Sequence, residues 1–444
     1  MNYREIILKI LVDVNINGAY SNHAINQHLK SKNIENENLI REIVYGVIEN
    51  KSYIDYIIAQ SSSIKLKKIH PTILEILRMS VYQIVFMDKI PSRAAVNEAV
   101  NLSKKYGHKK VSGFVNGVLR NIDRNKDKLM LVENKNKVEY LSIKYSHPEW
   151  LIENWIKDYG FEFTEKLCIA NNSRPKLNIR VNTLKISKGD LIEKLSNYDY
   201  YVYETRYAKD GLIVENPKKI ISIEEYKNGY FTIQDESSML VAQIADPREN
   251  SLVLDLCAAP GGKATHMAQL MSNKGRVIAR DIYDHKLNLI RENSNRLGID
   301  IIETEKHDAI ILDENLIGKV DYCIIDAPCS GLGIIRRKPE IKWNRHEKDI
   351  ESLRDIQWNI LNNAKEYLKI NGTMIYSTCT IMKEENQNLI DKFLSINTNF
   401  QLVDFSDKIL SNGFMEDAEK GFIQVFPHIH NTDGFFIAKL KRIC

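Results

Sequence analysis

From about residue 235 onward, short apolar runs alternate with amphipathic helices. "SLVLDLCAA", "GRVIARDI", "IIETEKHDA", "VDYCIID" and "GTMIYST" are separated by segments such as "DHKLNLIRENSNRLG" and "ESLRDIQWNILNNAKEYLK". Runs of four to eight apolar residues between helices at the 3.6-residue period predict a parallel, doubly wound sheet covered by helices. The close, "GFIQVFPHIHNTDGFFIAKLKR", reads instead as two strands joined by a loop at 431–434, an antiparallel pair finishing that sheet. Ligands of such sheets bind beyond the carboxyl ends of the strands, so the residues that end each run are the informative ones.

Those ends are acidic. The first run leads from Asp255 into "DLCAAPGGKATH", where Gly261 and Gly262 let the backbone turn tightly and approach a ligand. The second ends at Asp281, 26 residues after Asp255, where an acid can hydrogen-bond a ribose hydroxyl pair. The third ends at Asp308 and the fourth at Asp326. Carboxylates at several strand ends repel a pyrophosphate but suit a ligand with ribose hydroxyls, an exocyclic amine and positive charge. S-adenosylmethionine has all three. Spacing alone leaves a nicotinamide cofactor open, although the loop lacks the G-x-G-x-x-G order of that fingerprint. The alternative for Asp255 is a structural acid holding the turn.

Ahead of this region the chain changes character. Ile6, Ile7, Ile10, Leu11 and Val14 mark one helical face. Pro71 opens a second helix carrying Ile73, Ile76, Leu77, Val81, Ile84 and Val85 at the same period. "SRAAVNEAVNLSKKYG", with Ser92 as N-cap and Gly107 as stop, and "SGFVNGVLRNI" follow. Residues 121–137 are polar and form a linker or frayed end. The helix in "SHPEWLIENWIKDYG" then precedes strand-like pieces in "KLNIRVNTL", "YYVYETRYA", "GLIVE" and "YFTIQD". The expected architecture is therefore multidomain: an all-α domain over 1–135, a small α+β domain over 141–232 and an α/β, Rossmann-like domain over 233–444.

Charge follows the same division. The first 140 residues hold 22 basic and 14 acidic residues, the remaining 304 hold 40 and 44, and the whole chain carries +4. A basic front points to a phosphate-rich partner such as nucleic acid, though solvated helix faces give the same excess. No apolar run approaches the length of a membrane span, and Glu5, Lys9 and Asp13 argue against a signal peptide. Six cysteines without paired spacing suit a reducing cytoplasm. Nothing points to oligomers, so a monomer is expected. His428 and His430 form an H-x-H pair, but without further ligands no metal site is expected.

"DLCAAPGGKATHMAQ", "DAPCSGLGIIRRKPEIKW" and "YSTCTIMKEENQ" together resemble the Sun/Nop family of RNA cytosine-5 methyltransferases. "ILRMSVYQIVFMDKIPSRAAVNEAVNLSKKYG" and "FVNGVLRNI" make the front similar to the NusB antitermination factors, and "RVNTLK" and "QDESSMLVAQ" extend the likeness through the middle. The resemblance implies a NusB-like RNA-binding front, an S-adenosylmethionine-dependent catalytic domain and 16S ribosomal RNA as partner. Transfer RNA or another RNA is the alternative substrate, and a catalytically inactive RNA-binding factor the alternative class. By motif, Cys257, Ala258, Ala259, Pro260, Gly261, Gly262 and Lys263 would line the cofactor site. Asp281 would hold the ribose, Asp308 would lie near the adenine, and Asp326 near the methionine part and the target base.

The implied chemistry needs a thiol. Carbon 5 of cytosine becomes nucleophilic only after a thiolate adds to carbon 6, and the adduct must afterwards be broken. Cys329, after "IIDAP", and Cys379, after "MIYST", stand just past adjacent strand ends. The nucleophile of DNA cytosine-5 methyltransferases follows a proline, which would select Cys329. The RNA family uses the other position, which makes Cys379 the attacking thiol and gives Cys329 a part in breaking the adduct. Cys168, Cys323 and Cys444 read as packing or terminal residues, and Cys257 as a small residue packed in its loop. Arg336, Arg337 and Lys338, directly after the catalytic loop, are candidates for RNA phosphates, and Trp343 for a stacking face or a core position.

Overall fold

The computed structural model describes residues 3–30, 36–217 and 219–444. Contacts divide the chain into two compact units, Met1–Ser173 with Ile335–Arg345, and Arg174–Ile334 with His346–Cys444.

The first unit contains no strand among its described residues. Every apolar position expected to face inward in helix Tyr3–Asn15, and in helix Pro71–Phe86, is buried. Pro71 occupies the first turn of the latter, where its missing N–H costs nothing. Ser92 differs from expectation. It is the first residue of helix Ser92–Tyr106 rather than its cap, because the extended Pro91 (φ −60°, ψ 127°) takes the cap position. The polar stretch after residue 121 is largely helical, as the end of helix Lys109–Arg124 and the short helix Lys126–Leu129. Helices Lys137–Lys144, Glu149–Tyr159 and Phe161–Asn171 belong to this same unit.

Residues 335–345 are the unexpected part of it. The chain leaves the second unit after Ile334 and returns at His346, and the intervening strap is built into the helical unit. The Glu340 carboxylate, 1% exposed, accepts hydrogen bonds from the Ser21 N–H (3.0 Å) and hydroxyl (2.8 Å) at the start of helix Ser21–Leu29. Lys342 is fully buried and donates to the carbonyl of Glu49 (2.9 Å) and to Asn172 Oδ1 (3.2 Å). The Trp343 indole donates to the Ile48 carbonyl at 2.7 Å, and its ring packs on the helical core. Of the two readings of Trp343, the structure shows the packed one.

The second unit holds two sheets. The strands β1 (Leu177–Val181), β2 (Tyr201–Glu204), β3 (Gly211–Glu215) and β4 (Phe231–Ile233) form an antiparallel sheet in the order β2-β3-β1-β4. Ile179, Val181, Leu212, Val214 and Phe231 face its small core with Leu191 and Leu195 of helix Lys188–Ser196.

The larger sheet comprises β5 (Leu252–Asp255), β6 (Arg276–Asp281), β7 (Ile302–Lys306), β8 (Val320–Asp326), β9 (Leu368–Thr378), β10 (Phe400–Leu402), β11 (Phe422–Val425) and β12 (Phe435–Arg442). Its order is β10-β12-β9-β8-β5-β6-β7, with β11 also paired to β12. The strands β5 to β9 are parallel, and β12 runs antiparallel to β9. The closing pair expected from the sequence is β11 and β12, with the short helix Pro427–His430 in its connection. Strand order reverses between β5 and β8, which opens a crevice at their carboxyl ends.

Candidate active site and cofactor cleft

A cavity of about 380 Å³ lies at that crevice. Cys257 and Ala259 line it after β5, Asp281 and Ile282 at the end of β6, Asp308 and Ile310 after β7, and Asp326 and Pro328 after β8. Ile356 and Ile360 of helix Glu347–Tyr367 form an apolar wall. Asp281, Asp308 and Asp326 thus meet in one cleft, as the strand-end reading requires. Asp281 accepts the Tyr283 N–H at 3.2 Å and lies 3.5 Å from the Lys286 ammonium. Asp308 accepts the Ile310 N–H at 3.1 Å.

The glycine loop adds only Cys257 and Ala259 to the lining. Gly261 has φ +99°, a left-handed conformation that disfavours a side chain, and a Cβ there would lie 3.3 Å from the Ile290 backbone. Ala258 N–H donates to the Arg280 carbonyl and Gly261 N–H to Ala258, which curls the loop ahead of helix Gly262–Leu270. Of the motif residues, Cys257 and Ala259 reach the cavity wall, while Ala258 and Gly261 are buried within the loop.

Asp255 ends β5 just before the loop, fully buried and with no side-chain donor on its carboxylate. Burial, reinforced by the Asp326 carboxylate, pushes its pKa up to about 7. Burial and the neighbouring carboxylates drive the Cys257 thiol well above its ordinary value.

Lys263, the last residue of the "CAAPGGK" motif, donates to Asp326 Oδ2 at 2.6 Å, and the Ser377 hydroxyl donates to Oδ1 at 3.2 Å. Cys329 and Cys379, each past a neighbouring strand end, bring their sulfurs to 3.3 Å, and both are free thiols. The hydrogen bond with Cys379, and then burial, raise the Cys329 pKa well above normal. Cys323 is buried in β8 with its thiol raised by burial, and Cys168 is buried in its helix.

Several contributors carry no signal that sequence reasoning used. Arg180 of β1, fully buried, donates to the Gly262 carbonyl (2.6 Å), to Thr265 Oγ1 (3.0 Å) and to Gln234, so the small sheet grips the glycine loop. It is the arginine of the "RVNTLK" segment. Glu385 and Asn386, from "KEENQ", bond residues flanking the two cysteines. Arg336 of the strap is 6% exposed, whereas Arg337 and Lys338 are partly exposed and the Lys338 ammonium lies 5.3 Å from the Tyr20 ring centre. His430 is buried, stacks on Phe414 at 4.3 Å and accepts the Phe426 N–H, and burial lowers its pKa to about 4. Among the described residues no cluster of metal-ligating side chains occurs, and no helix is long and apolar enough to cross a membrane.

The cleft fits the cofactor inferred from the strand ends. Three lining carboxylates suit hydroxyls, an amine and a sulfonium, and the isoleucine wall suits a purine face. Fold and cleft together define a Rossmann-like methyltransferase that uses S-adenosylmethionine. The comparisons place it further. Its residues 242–441 match the family described as 16S rRNA methyltransferase RsmB/F, residues 1–124 the NusB family, and residues 147–221 an RsmF/B-like ferredoxin-like domain. A Bacillus subtilis protein named probable ribosomal RNA small subunit methyltransferase B is 39% identical, covering 99% of this chain and 98% of its own. A Synechocystis protein of the same name is 32% identical, with 99% of each chain covered. A crystal structure of NSun6 from Pyrococcus horikoshii superimposes with a TM-score of 0.60 at 26% identity, covering 67% of this chain and 98% of that one. The chain belongs to the RsmB/F family of ribosomal RNA methyltransferases.

Proposed function

We propose that this protein methylates carbon 5 of a cytosine in 16S ribosomal RNA through a covalent bond between Cys379 and carbon 6 of the base. The observation that supports this most directly is the pair of free thiols 3.3 Å apart, next in sequence to the strand ends that carry Asp326 and Ser377. A methyltransferase acting on a nitrogen or oxygen has no use for two thiols at this place. Addition to an aromatic carbon needs one sulfur to form the bond and further help to undo it.

The roles follow from the surroundings. Cys329 and Cys379 share a hydrogen bond between their sulfurs, so each is placed to pass a proton to the other. The Cys379 sulfur adds to carbon 6, and the displaced electron pair makes carbon 5 nucleophilic. S-adenosylmethionine, when bound, supplies the methyl group on its sulfonium. The carbon-5 proton then leaves to a base, and the C5–H electron pair expels Cys379, a step that Cys329 assists. Asp326, held by Lys263 and Ser377, is assigned to the ring nitrogen and amino group of the base. Asp281 is assigned to the ribose and Asp308 to the adenine side of the cleft. Arg336, Arg337 and Lys338 are assigned to the RNA side of the strap, with Arg337 and Lys338 better exposed for phosphates. The names of the relatives support the small ribosomal subunit as the source of the RNA.

The test is a pair of single substitutions. Cys379→Ala should abolish methyl transfer and form no adduct, whereas Cys329→Ala should accumulate a protein–RNA adduct that survives denaturing gels. An adduct in Cys379→Ala and none in Cys329→Ala would reverse the roles. Bisulfite sequencing of 16S ribosomal RNA from cells with and without the protein should show one lost 5-methylcytosine, and loss only in transfer RNA would refute the substrate.

A further inference from the structure

We propose that Glu385 and Asn386 are positioning residues that together set the separation of the two thiols. Cys329 and Cys379 lie on different loops, 50 residues apart in sequence, so their 3.3 Å approach needs something that grips both. Neighbouring side chains of one short segment do so. The Glu385 carboxylate accepts the Ser330 N–H at 2.8 Å and the Ser330 hydroxyl at 2.5 Å, immediately after Cys329. Gln357 ties the other side of that loop to the same carboxylate, donating to Glu385 Oε1 at 3.0 Å and to the Pro328 carbonyl at 2.9 Å. Cys329 is thus held from both flanks.

Asn386 does the same for the second cysteine. Its amide oxygen accepts the Thr378 hydroxyl at 2.6 Å, and its amide N–H₂ donates to the Thr380 carbonyl at 3.0 Å, so the contacts straddle Cys379. Ser330 and Thr380 then join the two grips through their hydroxyls, 2.8 Å apart. Both grips are buried, Glu385 at 0% and Asn386 at 1% exposure, and the Tyr376 hydroxyl donates to the Glu385 carbonyl at 2.7 Å to fix the segment. Buried polar groups that satisfy one another across three chain segments are rigid and geometrically specific. None of these side chains lines the cofactor cavity; of the residues they hold, only Pro328 does.

The inference rests on the thiol pair for its functional meaning but can be tested without it. In a glutathione redox buffer, oxidised glutathione takes two electrons from the Cys329 and Cys379 thiols, giving one S–S bond between them, two reduced glutathiones and no net change in protons. The equilibrium constant of that exchange reads how well the two sulfurs are held together, whatever their catalytic roles. Glu385→Gln keeps the volume but cannot accept from both Ser330 groups, and should lower the constant at least tenfold. Ser330→Ala removes the hydroxyl and keeps the N–H contact, and should lower it less. It carries the test if Glu385→Gln does not fold. Unchanged constants in folded variants would overturn the proposal. A second readout separates it from the assigned chemistry: with Glu385→Gln, covalent RNA adduct should build up while the KM for S-adenosylmethionine stays within about twofold. A shifted thiol equilibrium without adduct would uphold the grip and refute the part given to Cys329.

Discussion

The Asp255 carboxyl ties the stability of the fold to pH. It is fully buried at the end of β5, and its pKa stands at about 7 against an ordinary 3.8. The folded state therefore holds this proton more tightly than the unfolded chain does. Stability from the protonated carboxyl is fully present below about pH 4 and is lost progressively as the pH rises through about 7. At about 1.4 kcal/mol per unit, the window from pH 5 to pH 8 should remove about 3 kcal/mol. Asp255→Asn is neutral throughout and escapes this loss. The assay is urea unfolding followed by circular dichroism, on both proteins at pH 5, 6, 7 and 8, and the quantity read is the difference between them. Other titrating groups cancel in that difference, and any fixed cost of the amide appears as an offset without slope. A variant that loses stability in parallel with the parent, with the difference flat within the extrapolation error, would refute the reasoning. Asp326→Asn provides a second check. Removing the neighbouring carboxylate, the next largest cause of the raised pKa, should bring the Asp255 pKa down, so the loss ends at a lower pH and shrinks.

Two further substitutions probe contacts on which the site depends. Gly333→Ala would place a Cβ 2.0 Å from the Gly434 carbonyl oxygen and 2.8 Å from that of Cys379, where no flexible side chain can yield. It should abolish methyl transfer and lower the melting temperature, measured by methyl incorporation and by calorimetry. Trp343→Phe keeps the ring on the helical core but leaves the Ile48 carbonyl without its donor, at a cost of about 1 kcal/mol in urea unfolding.

Sequence patterns expose what is local and hide what is assembled. The alternation of apolar runs and helices was enough for the parallel sheet, and motif residues at the strand ends located Asp281, Asp308, Asp326 and both cysteines. The 2.6 Å pairing of Lys263 with Asp326 joins residues 63 apart and has no periodic trace. Arg180 was visible only as part of a quoted segment, because nothing in a strand sequence says that a buried cation will reach a carbonyl 82 residues away. Glu385 and Asn386 stand in a charged, polar stretch, and only folding turns them inward. Residues 335–345 follow the catalytic loop in the chain, and nothing local in them marks their place in the helical unit.

That strap also imposes an order on synthesis. The helical unit ends, apart from the strap, at residue 173, yet the acid beside the Ser21 helix start and the lysine at Glu49 arrive only with residues 340 and 342. A ribosome adding about 5–20 residues per second needs roughly 10–35 seconds to cover that interval. During it the first 173 residues have emerged without a piece of their own interior, so the front of the chain cannot be finished until most of its partner unit has been made.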